Sequence, residues 1–129
     1  MKFNLNTLLV LLAFLLATVN AAPAFGTHRG DLTFYQPGLG ACGRFNKASD
    51  FIAAVSHTLY DQFTIGGNPN NNSLCGRRIK VTFGSKSIFV RMVDRCEGCQ
   101  PDDLDLSPAA FGKLAPLSRG RIRGSWRFA

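Results

Sequence analysis

Acidic side chains are scarce in this chain: eight Asp and Glu stand against fifteen Lys and Arg in 129 residues, a formal net charge of +7. Histidine is scarcer still, with only His28 and His57, far apart in the sequence. There is one tryptophan, Trp126, and no apolar run of the ~20 residues that a membrane-spanning helix needs. Each shortage excludes something. A structural zinc site takes two close pairs of thiolate or imidazole ligands, and only Cys96 and Cys99 form such a pair. No metal and no cofactor are therefore expected. A thioredoxin-like redox centre would place its Cys-x-x-Cys at a helix start after a buried strand, whereas here the acidic, Pro-containing loop "QPDDLDLS" follows it. No serine elbow and no unpaired thiol with a partner histidine is visible, and His57, beside an apolar run, reads as a satisfied structural histidine. No internal repeat is present.

The first residues read as a secretory signal. Lys2 precedes the apolar run "LLVLLAFLLATV" (Leu8 to Val19) and a small-residue exit, "NAAPA", which places the signal peptide at residues 1–21. Residues 22–30 show no hydrophobic period and are expected as a flexible lead, with one domain over residues 31–129. Loss of the leader removes Lys2 and no acid, leaving +6. An exported cationic protein meets acidic polysaccharide, anionic cell surfaces or acidic proteins rather than nucleic acid. No membrane association is expected after cleavage, and a monomer is.

Export also sets the reading of Cys42, Cys75, Cys96 and Cys99 as two disulfides. Three connectivities exist. Cys42–Cys75 with Cys96–Cys99 is favoured, because the neighbouring pair can close a tight loop. On chain entropy the long link contributes roughly 3–4 kcal/mol and the short one ~2.

The remaining pattern is one of short strands. "DLTFYQ" alternates before the turn-rich "PGLGACG", and "FIAAVSH" (Phe51 to His57) is a short apolar run with a helical turn after it. "RRIKVTFG" and "SIFVRMVD" around "GSK" predict a hairpin, with Ile79, Val81 and Phe83 on one face and Ile88, Val90 and Met92 opposite. Ser107 and Pro108 predict the start of a short helix that Pro116 ends. "GGNPNNN" (Gly66 to Asn72) reads as loop, with a glycosylation sequon at Asn71. The last strand sets Arg121, Arg123, Ser125 and Arg127 against Ile122, Gly124, Trp126 and Phe128. Five or six short strands in a domain of this size predict an all-β closed barrel.

Carboxylates are the one remaining chemistry. Five of the eight acids, Asp94, Glu97, Asp102, Asp103 and Asp105, crowd into or beside "DRCEGCQPDDLDLS". Glycoside hydrolysis uses two carboxylates on opposite sides of the scissile bond, and one segment does not supply both sides.

In order along the chain, "GDLTFY", "GLGACG", "FIAAVS", "LCGRRIKVTF", "VRMVDRCEGC", "DLDLSPAAFGKLA" and "GRIRGSWRF" resemble the expansin-related double-psi β-barrels, which include rare lipoprotein A-like domains, and most nearly the single-domain fungal loosenins. The resemblance spans Gly30 to Phe128. It implies a six-stranded double-psi β-barrel with one or two short helices and an open polysaccharide groove. Asp105, before Leu-Ser in "DLDLS", matches the family's groove acid, Asp94 matches a supporting acid, and Thr33 and Tyr35 match hydroxyl-bearing residues of the first strand. Trp126 and Arg123 are further candidates for contact with the polymer. Glu97, Asp102 and Asp103 are expected in solvent. Related endoglucanases carry a catalytic base just after the first-strand tyrosine, where this chain has Gln36 and Pro37. The resemblance therefore implies a secreted, non-hydrolytic protein that binds or loosens cellulose, chitin or an acidic matrix glycan of the cell wall. A protein-binding module, directed at a papain-like protease or a host protein, is the alternative. A lytic transglycosylase, for which one acid suffices, is the third reading.

Overall fold

Alternating stretches bury one face each, and in a computed structural model describing residues 23–129 they meet on a common interior. Strand β1 (His28–Phe34) is followed by β2 (Ile52–Ser56), helix α1 (His57–Asp61), β3 (Thr64–Ile65) and β4 (Asn68–Asn72). Then come β5 (Arg78–Phe83), β6 (Lys86–Cys96), β7 (Leu104–Leu106), helix α2 (Pro108–Leu114), a 3₁₀ turn (Leu117–Arg119) and β8 (Arg121–Phe128). Six strands close a barrel in the order β1-β7-β2-β6-β5-β8, while β3 and β4 form a separate hairpin. The β1–β7 and β2–β6 pairs are parallel and the other four antiparallel. Closure leaves no barrel edge open to other chains. The six-stranded barrel and the two disulfides, Cys42–Cys75 and Cys96–Cys99, are as the sequence led us to expect.

Leu32, Val55, Ile79, Val81, Met92, Leu104, Leu106, Ile122 and Trp126 fill the interior. Each large apolar side chain buried there stabilises by ~1.5–3 kcal/mol. On β8 the wall closes tightly enough to require glycine: a Cβ on Gly124 would sit 2.6 Å from the Thr82 carbonyl oxygen and 2.7 Å from Leu32 Cδ1. Helix α2 packs Ala110, Phe111 and Leu114 into the core, with Phe111 against Phe34. Its start is fixed as the sequence predicts. The Ser107 hydroxyl accepts from the Ala110 N–H and donates to the Asp50 carbonyl, and Pro108 opens the first turn.

Three expectations are corrected. The strand begins at His28, inside the segment read as a flexible lead. His28 is buried because its ring stacks on Trp126 at 4.0 Å, with Nδ1 2.8 Å from an Asp102 carboxylate oxygen and Nε2 2.7 Å from the Ala24 carbonyl. The stretch "GGNPNNN" is not plain loop. Gly66 and Gly67, both at positive φ, turn β3 into β4, and the Asn72 amide donates to the Tyr60 carbonyl and Thr64 Oγ1. His57 is not satisfied on both nitrogens, since its buried Nδ1 has no partner among the described residues. The apolar run read as a signal lies outside the described residues. Among those described, no helix is long and apolar enough to cross a membrane.

Candidate functional site

One row of residues crosses four adjacent strands. Thr33 on β1 is in register with Asp105 on β7, Asp105 with Ala54 on β2, and Ala54 with Asp94 on β6. Their neighbours Leu32, Leu104, Leu106, Ala53, Val55 and Met92 point into the core, so the row faces outward. Simple alternation would send Asp94 the same way as Met92, two positions before it. The ladder shifts register between Ala53 and Ala54, where β6 carries the extra residue Val93, and this bulge turns Asp94 to the outer face. Ala54, between the two acids, contributes only a methyl group and is itself buried.

Hydrogen bonds fix both carboxylates. Thr33 Oγ1 donates to Asp105 Oδ1 over 2.8 Å. Asp94 Oδ1 accepts from the backbone N–H of Ala41 and of Arg95, each at 2.8 Å. Burial raises the pKa of Asp105 above the usual carboxylate value, and the negative Asp94 pushes the same way. The Thr33 hydroxyl and the Arg121 guanidinium oppose the shift. Burial, then the charge of Asp94 and a hydrogen bond to it, holds the Tyr35 phenol far above its ordinary range. Tyr35 therefore stays a proton-bearing donor beside two acids, one of which favours its neutral form.

A cleft of about 470 Å³ opens over Asp105, lined by Thr33, Phe34, Asp103, Arg121 and the Cys96–Cys99 disulfide with Gly98. Cys96 Sγ lies 4.0 Å from Asp105 Oδ2. The potential ligand atoms of Cys96, Cys99 and Asp105 cluster within 4.8 Å. With the two sulfurs bonded to each other, neither is a thiolate that could bind a metal. The disulfide instead forms a rigid wall.

Thr33, Tyr35, Asp94 and Asp105 are thus brought together, and the other sequence candidates are not. Trp126 cannot stack on a polymer: it is 1% exposed, its indole N–H donates to the Asp102 carbonyl over 2.9 Å, and Phe128 packs edge-on against it. Arg123 projects from β8 outside the cleft, 3.6 Å from Asp31, and its strand neighbour Arg121 lines the cleft instead. Asp103 is not in solvent. It is buried under the cleft because it accepts from the Asp31 and Gln100 N–H groups. Asp102 is tied to His28, and Glu97 is exposed and paired with Arg95. Asn71 is exposed on β4.

Sequence reading missed the loop Pro37–Asn46 as part of the site. Gly40 lies against β6, where a Cβ would come 2.6 Å from the Val93 carbonyl, and Cys42 ties the loop to Cys75. A bridge between Leu39 and Phe45 then holds both side chains out, Phe45 at 80% exposure. The signal was present in the density of turn residues around an aromatic in "GLGACGRF".

Known proteins share this framework. A double-psi β-barrel family model described as lytic transglycolase matches residues 52–126. The papain inhibitor of Streptomyces mobaraensis is 38% identical over 103 residues, covering 77% of this chain and 69% of the relative. A solved Streptomyces papain inhibitor superposes with a TM-score of 0.74 at 36% identity, over 84% of this chain and 99% of that one. A mutant Clavibacter michiganensis expansin, solved in complex with cellohexaose, gives a TM-score of 0.67 at 27% identity over 81% of this chain and 50% of that one. The chain belongs to the expansin-related double-psi β-barrel family.

Proposed function

We propose that this is a secreted cell-wall protein that binds polysaccharide in the Asp105 cleft and loosens contacts between polymer chains without cutting them. The observation that carries the reading is the row itself. One acid of raised pKa, bonded to Thr33 and flanked by Tyr35, sets hydrogen-bond donors and acceptors side by side for sugar hydroxyls. Hydrolysis needs a second carboxylate free to activate water across the bond. Asp94 lies on the same wall as Asp105, with one oxygen already accepting two backbone N–H bonds, and Gln36 and Pro37 follow Tyr35. The cellohexaose complex of the Clavibacter expansin supports a glucan as the first ligand to try. Co-sedimentation with insoluble cellulose and chitin tests the reading, alongside assay of the soluble fraction. Binding with no released sugar is expected. New reducing ends would make the protein a hydrolase, and anhydro-sugars would make it a lytic transglycosylase.

A second reading is favoured by the likeness to the Streptomyces papain inhibitor over nearly its whole length. In it the exposed Leu39 and Phe45 engage a papain-like protease, on a loop stapled by Cys42–Cys75 and packed near Asn70. Inhibition of papain that survives Asp105→Asn but falls with Phe45→Ala would establish it.

A further inference from the structure

We infer that the barrel wall formed by β1, β8 and β5, which adjoins the Asp105 cleft across the Asp31–Arg121 pair, is a second binding site, for a carboxylate-bearing (uronate) polysaccharide. This wall contains two adjoining depressions of about 440 and 130 Å³ that share Thr82 and Ser125 as their common floor. Arg29 and Arg123 flank one, and Lys80 and Arg127 flank the other. Strand register builds this pattern. Ser125 pairs with Arg29 on one side and Thr82 on the other, and Arg127 pairs with Lys80. From Lys80 to Phe83 the groove follows β5 for about 10 Å at ~3.4 Å per residue.

Charge complementarity identifies the occupant. Among the described residues Arg29, Lys80 and Arg127 form no ion pair, although cations held this close repel one another until an anion joins them. One acid, Asp31, borders this wall, and Arg121 and Arg123 grip its carboxylate at 2.8 and 3.6 Å. The wall already holds a carboxylate in this way, and the free cations repeat the same chemistry farther along the groove. The hydroxyls of Ser125 and Thr82 line the floor for sugar hydroxyls, with Thr82 also bonded to Ser87 at 3.0 Å. Nucleic acid is the competing polyanion: Trp126 points inward, while the half-exposed rings of Phe25 and Phe89 carry Arg77 and Arg78 over them, so the test includes it.

The site adjoins the Asp105 cleft but shares none of its lining residues, and the test separates them. Binding to polygalacturonate, neutral dextran and single-stranded DNA would be measured at low and high salt. The proteins compared are wild type, Asp105→Asn and the triple variant Arg29→Gln, Lys80→Gln, Arg127→Gln, with Arg29 and Arg127 exposed and Lys80 half-buried, and with folding of each checked by circular dichroism. The expected result is polygalacturonate binding that weakens with salt, falls at least tenfold in the triple variant and changes less than twofold in Asp105→Asn. Equal binding by wild type and triple variant overturns the inference, as does an equal loss in Asp105→Asn. Tighter binding of DNA than of polygalacturonate through the same three residues overturns the assignment to a glycan.

Discussion

Met92 and Asp94, two positions apart on β6, point to opposite sides of the barrel wall. Met92 packs in the core, while Asp94 turns outward beside Asp105 and anchors the Pro37–Asn46 loop through the Ala41 N–H. One extra residue, Val93, thus converts a core position into a site position.

Removing the Asp94 carboxylate should therefore loosen that loop. Asp94→Ala leaves the Ala41 and Arg95 N–H groups without their acceptor, a loss of roughly 2 kcal/mol for bonds to a charged group. Urea unfolding gives the stability, and amide exchange at Ala41 gives the local effect. An unchanged exchange rate at Ala41 would contradict the anchoring role.

Asp105 sets a pH dependence of known sign. Its folded pKa is raised, chiefly by burial, above the ordinary 3.8. Its contribution to stability is present below the unfolded value and lost as pH rises through the folded one. Asp105→Asn carries no charge into the cleft, so its stability relative to wild type should grow across that window. Denaturation midpoints of both proteins between pH 3 and 7 check this. A constant difference, or one that shrinks with pH, would count against burial of the acid.

The two disulfides should contribute unequally. Replacing Cys42 and Cys75 by Ala is expected to cost roughly 3–4 kcal/mol, and replacing Cys96 and Cys99 ~2, because the loops they close differ in length. The second pair should also alter the cleft, since it forms one wall. Guanidinium unfolding of the two double variants would show the order, and the reverse order would contradict it.

Trp126→Phe tests whether the tryptophan is structural. It removes the donor to the Asp102 carbonyl and should lower stability by about 1–3 kcal/mol. Polysaccharide binding at low temperature should stay as in wild type. Weaker binding by a folded variant would return Trp126 to the ligand site.

Much of this was legible in the sequence wherever burial follows a simple period. The β5–β6 hairpin, the two faces of β8 and the Ser107–Pro108 start of α2 all follow from alternation and capping chemistry. What escaped depends on partners distant in sequence. Trp126 was on the apolar face of its strand, but only the stack on His28 and the bond to Asp102 show that it is wholly enclosed. Asp103 looked solvated until the Asp31 and Gln100 N–H groups met it. The β3–β4 hairpin is held by Asn72 rather than by an apolar face, so its strands carry no hydrophobic period. The Gly66-Gly67 pair was the available clue.

The most direct test of the account is calorimetric titration of cellohexaose into wild type and Asp105→Asn, with the end-point mixtures assayed for shorter sugars. The account predicts saturable binding to wild type, at least tenfold weaker binding to Asp105→Asn, and cellohexaose recovered intact. Equal affinity in the two proteins, or cleavage by wild type, would contradict it.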